Sequence, residues 1–196
     1  MTTKISLHGL GFIQVELNPH QRLHVWHPDL PRRTCFEHSQ IHTHSFDFQS
    51  TVLVGEMLNH KHYEGRLGSQ VDVTDLPFTA YRHEGERTAS GNRPWVQQPG
   101  TVWLSSHIYT SRVRAGEWYK MHGPDMHSTQ PLGDGKVATL MTKTFTGHEP
   151  AFSLVAEGIV PDADFDRFQL ASEQLWTAVM EVLGADLGSF YHGAWR

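Results

Sequence analysis

The sequence predicts an all-β protein that ends in one α-helix, and three observations lead to this prediction. Between about residues 10 and 145, short apolar or β-branched stretches are repeatedly interrupted by Gly, Pro, Asn and Asp, as in proteins built from many short strands. Near the C-terminus, apolar residues recur at helical intervals instead. The length of 196 residues fits one domain covering 1–196, with the β body at about 10–145.

Seven strands are predicted along the β body. Each is an apolar or β-branched stretch bounded by turn-forming residues. In the last of them, Val137, Thr139 and Met141 alternate with residues of the other face, which is the period of a strand. The polar segment 82–98, which contains Gly and Pro, predicts a long loop near an opening of the fold. The predicted strands are Phe12–Leu17, Arg22–Trp26, Ser50–Leu58, Phe78–His83, Thr101–Leu104, Ile108–Val113 and Lys136–Phe145.

The C-terminal pattern predicts a helix over about 165–183. It follows two possible N-caps, Asp162 and Asp164, and would end before Gly184. Its apolar stripe would pack on the β body or against a second subunit. The residues of this stripe are Phe168, Leu175, Val179 and Val182.

Composition and charge exclude several classes of protein. With 16 basic and 21 acidic residues, the formal charge is −5 and no basic run is present, which argues against a nucleic-acid partner. The apolar runs are too short to span a bilayer, and the first ten residues lack the apolar stretch of a secretory signal. Because Cys35 is the only cysteine, no internal disulfide can form. A cytoplasmic protein without a membrane partner is expected.

Histidine is unusually frequent, with 15 residues in the chain, and its placement suggests a metal site. His42 and His44 are two residues apart, so in an extended segment both imidazoles project from one face and could bind one ion. The alternative is that this spacing arises by chance in a histidine-rich chain. His127, which follows a Gly-Pro-Asp turn 83 residues after His44, would supply a third ligand as it enters a strand.

A second histidine pair has the same spacing. His60 and His62 could also share one face, but they follow Gly55, where the chain turns into the next strand. We interpret them as residues of the outer face or rim.

These motifs resemble those of the cupin superfamily. Its first motif, G-x5-H-x-H-x(3,4)-E-x6-G, is similar to the segment in which His42, His44 and Gly55 fall in register, although Phe36 replaces the first glycine. Its second motif, G-x5-P-x-G-x2-H-x3-N, is similar to the segment that contains Gly116 and His127. The replacements in this second motif are His122, Pro124 and Pro131. The resemblance covers about residues 35–145 and implies a double-stranded β-helix, the jelly-roll barrel.

The carboxylate of the first motif is missing. The two permitted spacings land on Phe48 or Gln49, so the resemblance implies three histidine ligands, as in cysteine dioxygenase-type and some diketone and ring dioxygenases. Three neutral ligands leave the ion its full +2 charge and open positions for a chelating substrate. Gln49 could still bind through its side-chain oxygen, and Asp47 is close, but strict alternation from His44 puts both on the opposite face.

Five further residues are candidates for contact with a substrate. Arg112 and Arg114 share one face of a predicted strand and could bind a carboxylate or phosphate, unless they belong to a solvated surface. Trp118 and Tyr119 could line a pocket or belong to the core. His122 could carry protons or touch the substrate.

The resemblance leads to one main functional hypothesis and two alternatives. The first is a mononuclear metal enzyme, an Fe(II)-dependent dioxygenase of a thiol, diketone or ring diol, with Zn, Ni or Mn as other possible ions. The second is a sensory or binding cupin without turnover. The third is a metal-dependent isomerase or hydrolase in which His122 or Glu117 acts as acid or base. Resemblance to cupins also implies a homodimer.

Overall fold

The computed structural model describes residues 4–65, 75–162 and 165–184, and in these the chain is mostly β-sheet. Within these ranges, thirteen antiparallel strands form three sheets, none of which closes on itself, and one α-helix follows them. The predicted all-β class with a C-terminal helix is therefore confirmed. The strands are β1 (Lys4–His8), β2 (Phe12–Glu16), β3 (Gln21–Trp26), β4 (Phe46–Val54), β5 (Glu56–Lys61), β6 (Leu76–His83), β7 (Trp95–Gln97), β8 (Val102–Leu104), β9 (Tyr109–Arg114), β10 (Trp118–Met121), β11 (His127–Pro131), β12 (Val137–Thr146) and β13 (Phe152–Ala156); the helix is α1 (Ser172–Leu183).

The largest sheet has six strands in the order β1-β2-β3-β12-β4-β10 and is buried on both faces. Its outer face packs on α1, where Val179 meets Leu7 and Val15 in one apolar cluster. Its inner face contributes Phe12 and Trp26 to a second cluster. Because both faces are covered, these strands lack a clean alternation of apolar and polar residues.

The two smaller sheets pack against the inner face. One has the order β11-β5-β9, and the other has β13-β6-β7 with β8 also paired to β6. Met57 and Val155, one from each small sheet, join Val52 of the large sheet in the same apolar cluster. His42 forms isolated bridges to both His127 and Ser153, so its backbone connects the two small sheets.

The strand predictions need three corrections. The β body extends beyond 10–145 at both ends, because β1 and β13 were not predicted. The single strand predicted over Ser50–Leu58 is two strands, since Gly55 turns the chain with a φ of 75°. A Cβ there would lie 2.4 Å from the Lys136 carbonyl oxygen. Part of the loop predicted over 82–98 is β7, which pairs with β6.

The helix begins later than predicted. The helix expected over 165–183 spans Ser172–Leu183. Phe168, which was predicted to belong to its apolar stripe, precedes the helix and is exposed. Asp162 is no cap either, since its carboxylate accepts hydrogen bonds from Thr34. The other proposed cap, Asp164, lies outside the described residues. Among the described residues, no helix has the length and apolar character needed to cross a membrane.

Candidate metal centre

Three histidines from distant parts of the chain converge on one point of the inner face. His42 and His44 come from the segment before β4, and His127 is the first residue of β11. The ring centres are 4.9 Å apart for His42 and His44, 4.4 Å for His42 and His127, and 5.0 Å for His44 and His127. One ring nitrogen from each lies within 4.8 Å of the others. The predicted ligands thus form a group that could hold a metal ion, called the triad below.

Backbone hydrogen bonds set the register of two of these ligands. His42 and His127 each donate their N–H to the carbonyl of the other, at 3.0 Å in both directions. Thr43, between the two ligands of the first motif, donates its N–H to the Phe152 carbonyl at 2.9 Å. This pairing holds the chain extended, so residues 42 and 44 project to the same side, as their spacing predicts.

Hydrogen bonds also orient the ligand atoms. His42 Nδ1 lies 2.9 Å from the Gln40 carbonyl oxygen, and His127 Nδ1 lies 3.1 Å from that of Asp125. A carbonyl only accepts, so each Nδ1 is protonated and donates, which leaves the lone pair on Nε2. Metal-ligating histidines are commonly fixed in this way. The donor set therefore fits a divalent ion.

The imidazoles are neutral at ordinary pH. Burial lowers the pKa of His42, and it is also the main reason why the pKa values of His44 and His127 lie well below 6.5. The neighbouring histidines add to the effect on His44 and His127, because three cations would repel one another. Metal binding therefore needs little proton release at neutral pH.

The pocket at the triad is small and mostly apolar. Its volume is about 50 Å³, and no carboxylate lines it within the described ranges. Phe48 stands over the triad, with its ring centre 5.1 Å from that of His44. Tyr119 lines the pocket, as predicted for a substrate contact, and burial raises the pKa of its hydroxyl. The remaining lining residues are Leu10, Phe12, His24, Trp26, Gln40, Thr129 and Met141.

Gln49 is not brought to the triad. On β4 the buried residues are Phe48, Ser50 and Val52, so Gln49 lies on the other face of the strand. The register shifts of the β12–β4 pair do not change this, because Phe48 remains on the pocket side. Strand alternation therefore keeps Gln49 away from the triad.

Asp47 takes part in a second group, with His122 and His148. Its Oδ1 atom lies 2.8 Å from His122 Nδ1 and 2.6 Å from His148 Nε2, and it accepts the Gly123 N–H at 2.8 Å. Gly123 in turn accepts the His44 N–H at 2.7 Å. We call Asp47, His122 and His148 the aspartate cluster. His122, which was predicted to be an acid, a base or a substrate contact, is thus hydrogen-bonded to Asp47 and does not line the triad pocket.

Three other candidates lie on outer surfaces. Arg112 and Arg114 face solvent on β9 and pair with Glu56 of the neighbouring strand, where Arg112 Nε donates to Glu56 Oε2 at 2.9 Å. They do not line the triad pocket, and their contacts are those expected of the alternative, a solvated surface. Trp118 is 58% exposed and carries Lys120 over its ring, so it does not line the pocket.

His60 and His62 remain apart from the triad. His60 Nδ1 lies 2.8 Å from Thr110 Oγ1, and His62 Nε2 lies 3.0 Å from Ser128 Oγ. His60 lines an outer groove instead of the triad pocket, which agrees with the rim position expected for this pair.

Sequence reasoning missed several residues around the triad. His24 lines the triad pocket, and a larger cavity beside it contains His8, His83 and a set of arginines. A signal existed for part of this set, because Arg22, His24 and Trp26 share one face of a predicted strand.

Comparison of the chain with models of known protein families and with curated proteins gives no match.

Proposed function

We propose that the protein is a cupin-like mononuclear metal enzyme, with Fe(II)-dependent oxygenation of a small molecule as its reaction. The observation that carries this proposal is the triad itself: three neutral imidazoles, two of which, His42 and His127, are held with Nε2 free, and no described carboxylate beside them. When bound there, a divalent metal would supply Lewis acidity and, as iron, the redox chemistry of a dioxygenase.

The fold supports the proposal through the placement of the ligands. His127 begins β11, and His42 and His44 lie in the segment before β4, which bridges β11 and β13 opposite the inner face of the six-stranded sheet. A jelly-roll barrel would put its metal in the same position, between the sheets. We extend the proposal to this fold and to the homodimer that the resemblance implies, which sedimentation of the full chain would test.

The protein's own residues prepare the site for a substrate. The Gln40 and Asp125 carbonyls hold two imidazoles in the tautomer that presents Nε2. Phe48, Met141 and Phe12 cover the triad with apolar surface, which excludes water from the reacting groups. Tyr119 lines the pocket, where burial raises the pKa of its hydroxyl, and that hydroxyl interacts with Ser50 and Asn59.

Metal analysis followed by oxygen uptake tests the proposal. The wild type, loaded anaerobically with Fe(II), should hold about one iron per chain and consume O₂ with a thiol, diketone or ring diol. His42→Ala should lose both properties, because it removes a ligand. His60→Ala is the matched control, since His60 lies in the outer groove, and it should keep both.

Two outcomes would count against this function. If the wild type binds no Fe(II), Zn(II) or Ni(II), the metal centre is wrong. If it binds metal but consumes no O₂ with any of the three substrate classes, the enzyme assignment fails. Ligand-dependent thermal stabilisation without product would then favour the sensory or binding protein.

A further inference from the structure

A second cavity of about 190 Å³ opens beside the triad and shares His42 and His44 with it. It lies on the inner face of the six-stranded sheet, where Phe12, Arg22 and His24 project. Its most unusual property is the number of arginines around it. We call it the arginine chamber, after Arg22, Arg33, Arg87, Arg93 and Arg167.

The chamber concentrates positive charge in a protein whose formal charge is −5. No Asp or Glu lines it among the described residues. Four of its arginines, Arg22, Arg87, Arg93 and Arg167, form no ion pair with a described carboxylate. The charge of Glu16 acts to raise the pKa of Arg22 and Arg167, but Glu16 forms no ion pair with either.

The internal hydrogen bonds of these arginines leave donors unused. Arg167 is 8% exposed and gives Nε to the Leu7 carbonyl at 2.8 Å and Nη2 to Ser6 Oγ at 3.2 Å. Arg87 and Arg93 each give one N–H to a loop carbonyl. The Arg22 side chain is half-buried, lies 5.6 Å from the centre of the Phe46 ring and forms no hydrogen bond with the described residues. A guanidinium has five N–H donors, so most of them remain for a ligand.

Electrostatic repulsion within the chamber agrees with this arrangement. Burial lowers the pKa of Arg167 to about 10, and the charges of Arg87 and Arg22 add to the effect. Burial also lowers the pKa of Arg22; the charge of Glu16 partly opposes this, and that of Arg87 adds to it. Arginine nevertheless stays protonated at neutral pH, so Arg22, Arg87 and Arg167 keep their charges near one another, and none of the three has an ion pair with a described carboxylate.

We propose that the arginine chamber binds a small anion of at least two negative charges, a phosphate ester or a dicarboxylic acid. One carboxylate would match only one guanidinium, whereas Arg22, Arg87 and Arg167 together match a dianion through charge-assisted hydrogen bonds. The volume excludes ligands of drug size, which fill about 300–1,000 Å³. The chamber and the triad pocket share His42 and His44, so the part of the ligand that is not bound by the arginines would lie at the triad. That this ligand is the substrate rests on the proposed function.

Calorimetric titration of the full-length, metal-free protein tests the chamber. The probes are inorganic phosphate, succinate and acetate, compared at equal ionic strength. We expect phosphate or succinate to bind at least about tenfold more tightly than acetate. Phosphate binding alone would support the phosphate ester, and succinate binding alone would support the dicarboxylic acid.

Variants locate the binding. Arg22→Gln should weaken binding of the preferred dianion by about tenfold or more, because it removes one charged partner. Arg87→Gln, an exposed position at the rim, gives the same test without disturbing the interior. Arg114→Gln is the control and should bind as the wild type does, since Arg114 faces solvent on β9.

The proposal is overturned if neither dianion binds more tightly than acetate. It is also overturned if Arg22→Gln and Arg87→Gln, both shown to be folded by circular dichroism, bind like the wild type. Metal content is measured separately on the same preparations. Dianion binding in a protein that takes up no metal would overturn the proposed function and support the chamber.

Discussion

The triad and the aspartate cluster place the same kinds of atoms at similar distances, but they use them differently. In both, three ligand-type atoms lie within 4.8 Å of one another. In the aspartate cluster, one carboxylate oxygen already accepts hydrogen bonds from His122, His148 and Gly123. In the triad, backbone carbonyls take up the Nδ1 protons of His42 and His127, so the Nε2 lone pairs stay available. Proximity alone therefore does not identify a metal site; the state of the lone pairs does.

The largest expected effect separates the two groups directly. His44→Ala should weaken metal binding by more than about 100-fold, because loss of a ligand exceeds the 10–100-fold effect of losing an outer partner. His148→Ala should leave one metal per chain. Elemental analysis after dialysis against one equivalent of metal measures both. Loss of metal in His148→Ala alone would exchange the roles of the two groups.

Gly123 lies between the two groups, and replacing it should damage both. A Cβ at this position would meet the carbonyl oxygens of His44 and Phe46 at 2.7 Å, and His148 Cδ2 at 2.7 Å. Gly123→Ala should therefore destabilise the fold by about 1–3 kcal/mol and also weaken metal binding. Urea denaturation and metal titration measure the two effects.

Gly116→Ala is the control for this prediction. Gly116 has a φ of +85° and nothing within 4 Å of an added Cβ, so only backbone strain is expected. Metal affinity should not change. Equal loss of metal in both variants would show that general destabilisation, instead of the contact with His44, is responsible.

The pH dependence of metal binding gives a smaller effect. Three exposed histidines with pKa 6.5 would lose roughly 30-fold in metal affinity between pH 7 and pH 6 through proton competition. The pKa values of His44 and His127 lie well below 6.5, so the triad should lose less than about threefold over this interval. Competition titration with a chromophoric chelator measures it. A 30-fold loss would show that the imidazoles are not buried as described.

Asp47→Asn should produce the smallest change. Hydrogen bonds from Gly123 and the two histidines hold the pKa of Asp47 below 3.8, so its stabilising contribution is present above that pH and is lost as the pH falls further. The variant should show a shallower loss of stability below about pH 4 and unchanged metal content at pH 7. Acid titration followed by fluorescence measures the first. A steeper acid loss would contradict the role assigned to the cluster.

The metal ligands could be predicted from the sequence because their positions depend only on strand alternation and on one turn. An extended segment puts His42 and His44 on one side, and a turn delivers His127. The same rule favoured Arg112 and Arg114, but their partner Glu56 lies on β5, and the β5–β9 pairing is not visible in the sequence. The spacing of residues within a strand predicts which of them share a face. It does not predict which other residues contact that face.

The arginine chamber was missed for a related reason. Arg22 and His24 share a face of a predicted strand, but both faces of the six-stranded sheet are buried, so hydrophobic alternation gives no direction. Arg167 was assigned to the helix, whereas it lies before α1 and its side chain bonds to β1. Its position depends on contact between the two ends of the described chain.

His42 and His127 are far apart in the sequence and are joined by reciprocal backbone hydrogen bonds. The proposed metal would join the same two segments a second time, as a cross-link that can be removed. Closing a loop of that length costs conformational entropy before any ligand set exists, so the unfolded chain has no preformed triad. A bound ion would therefore stabilise only the folded state, increasingly with its concentration. The concentration of available metal would then determine the protein's resistance to thermal unfolding and proteolysis as well as its activity.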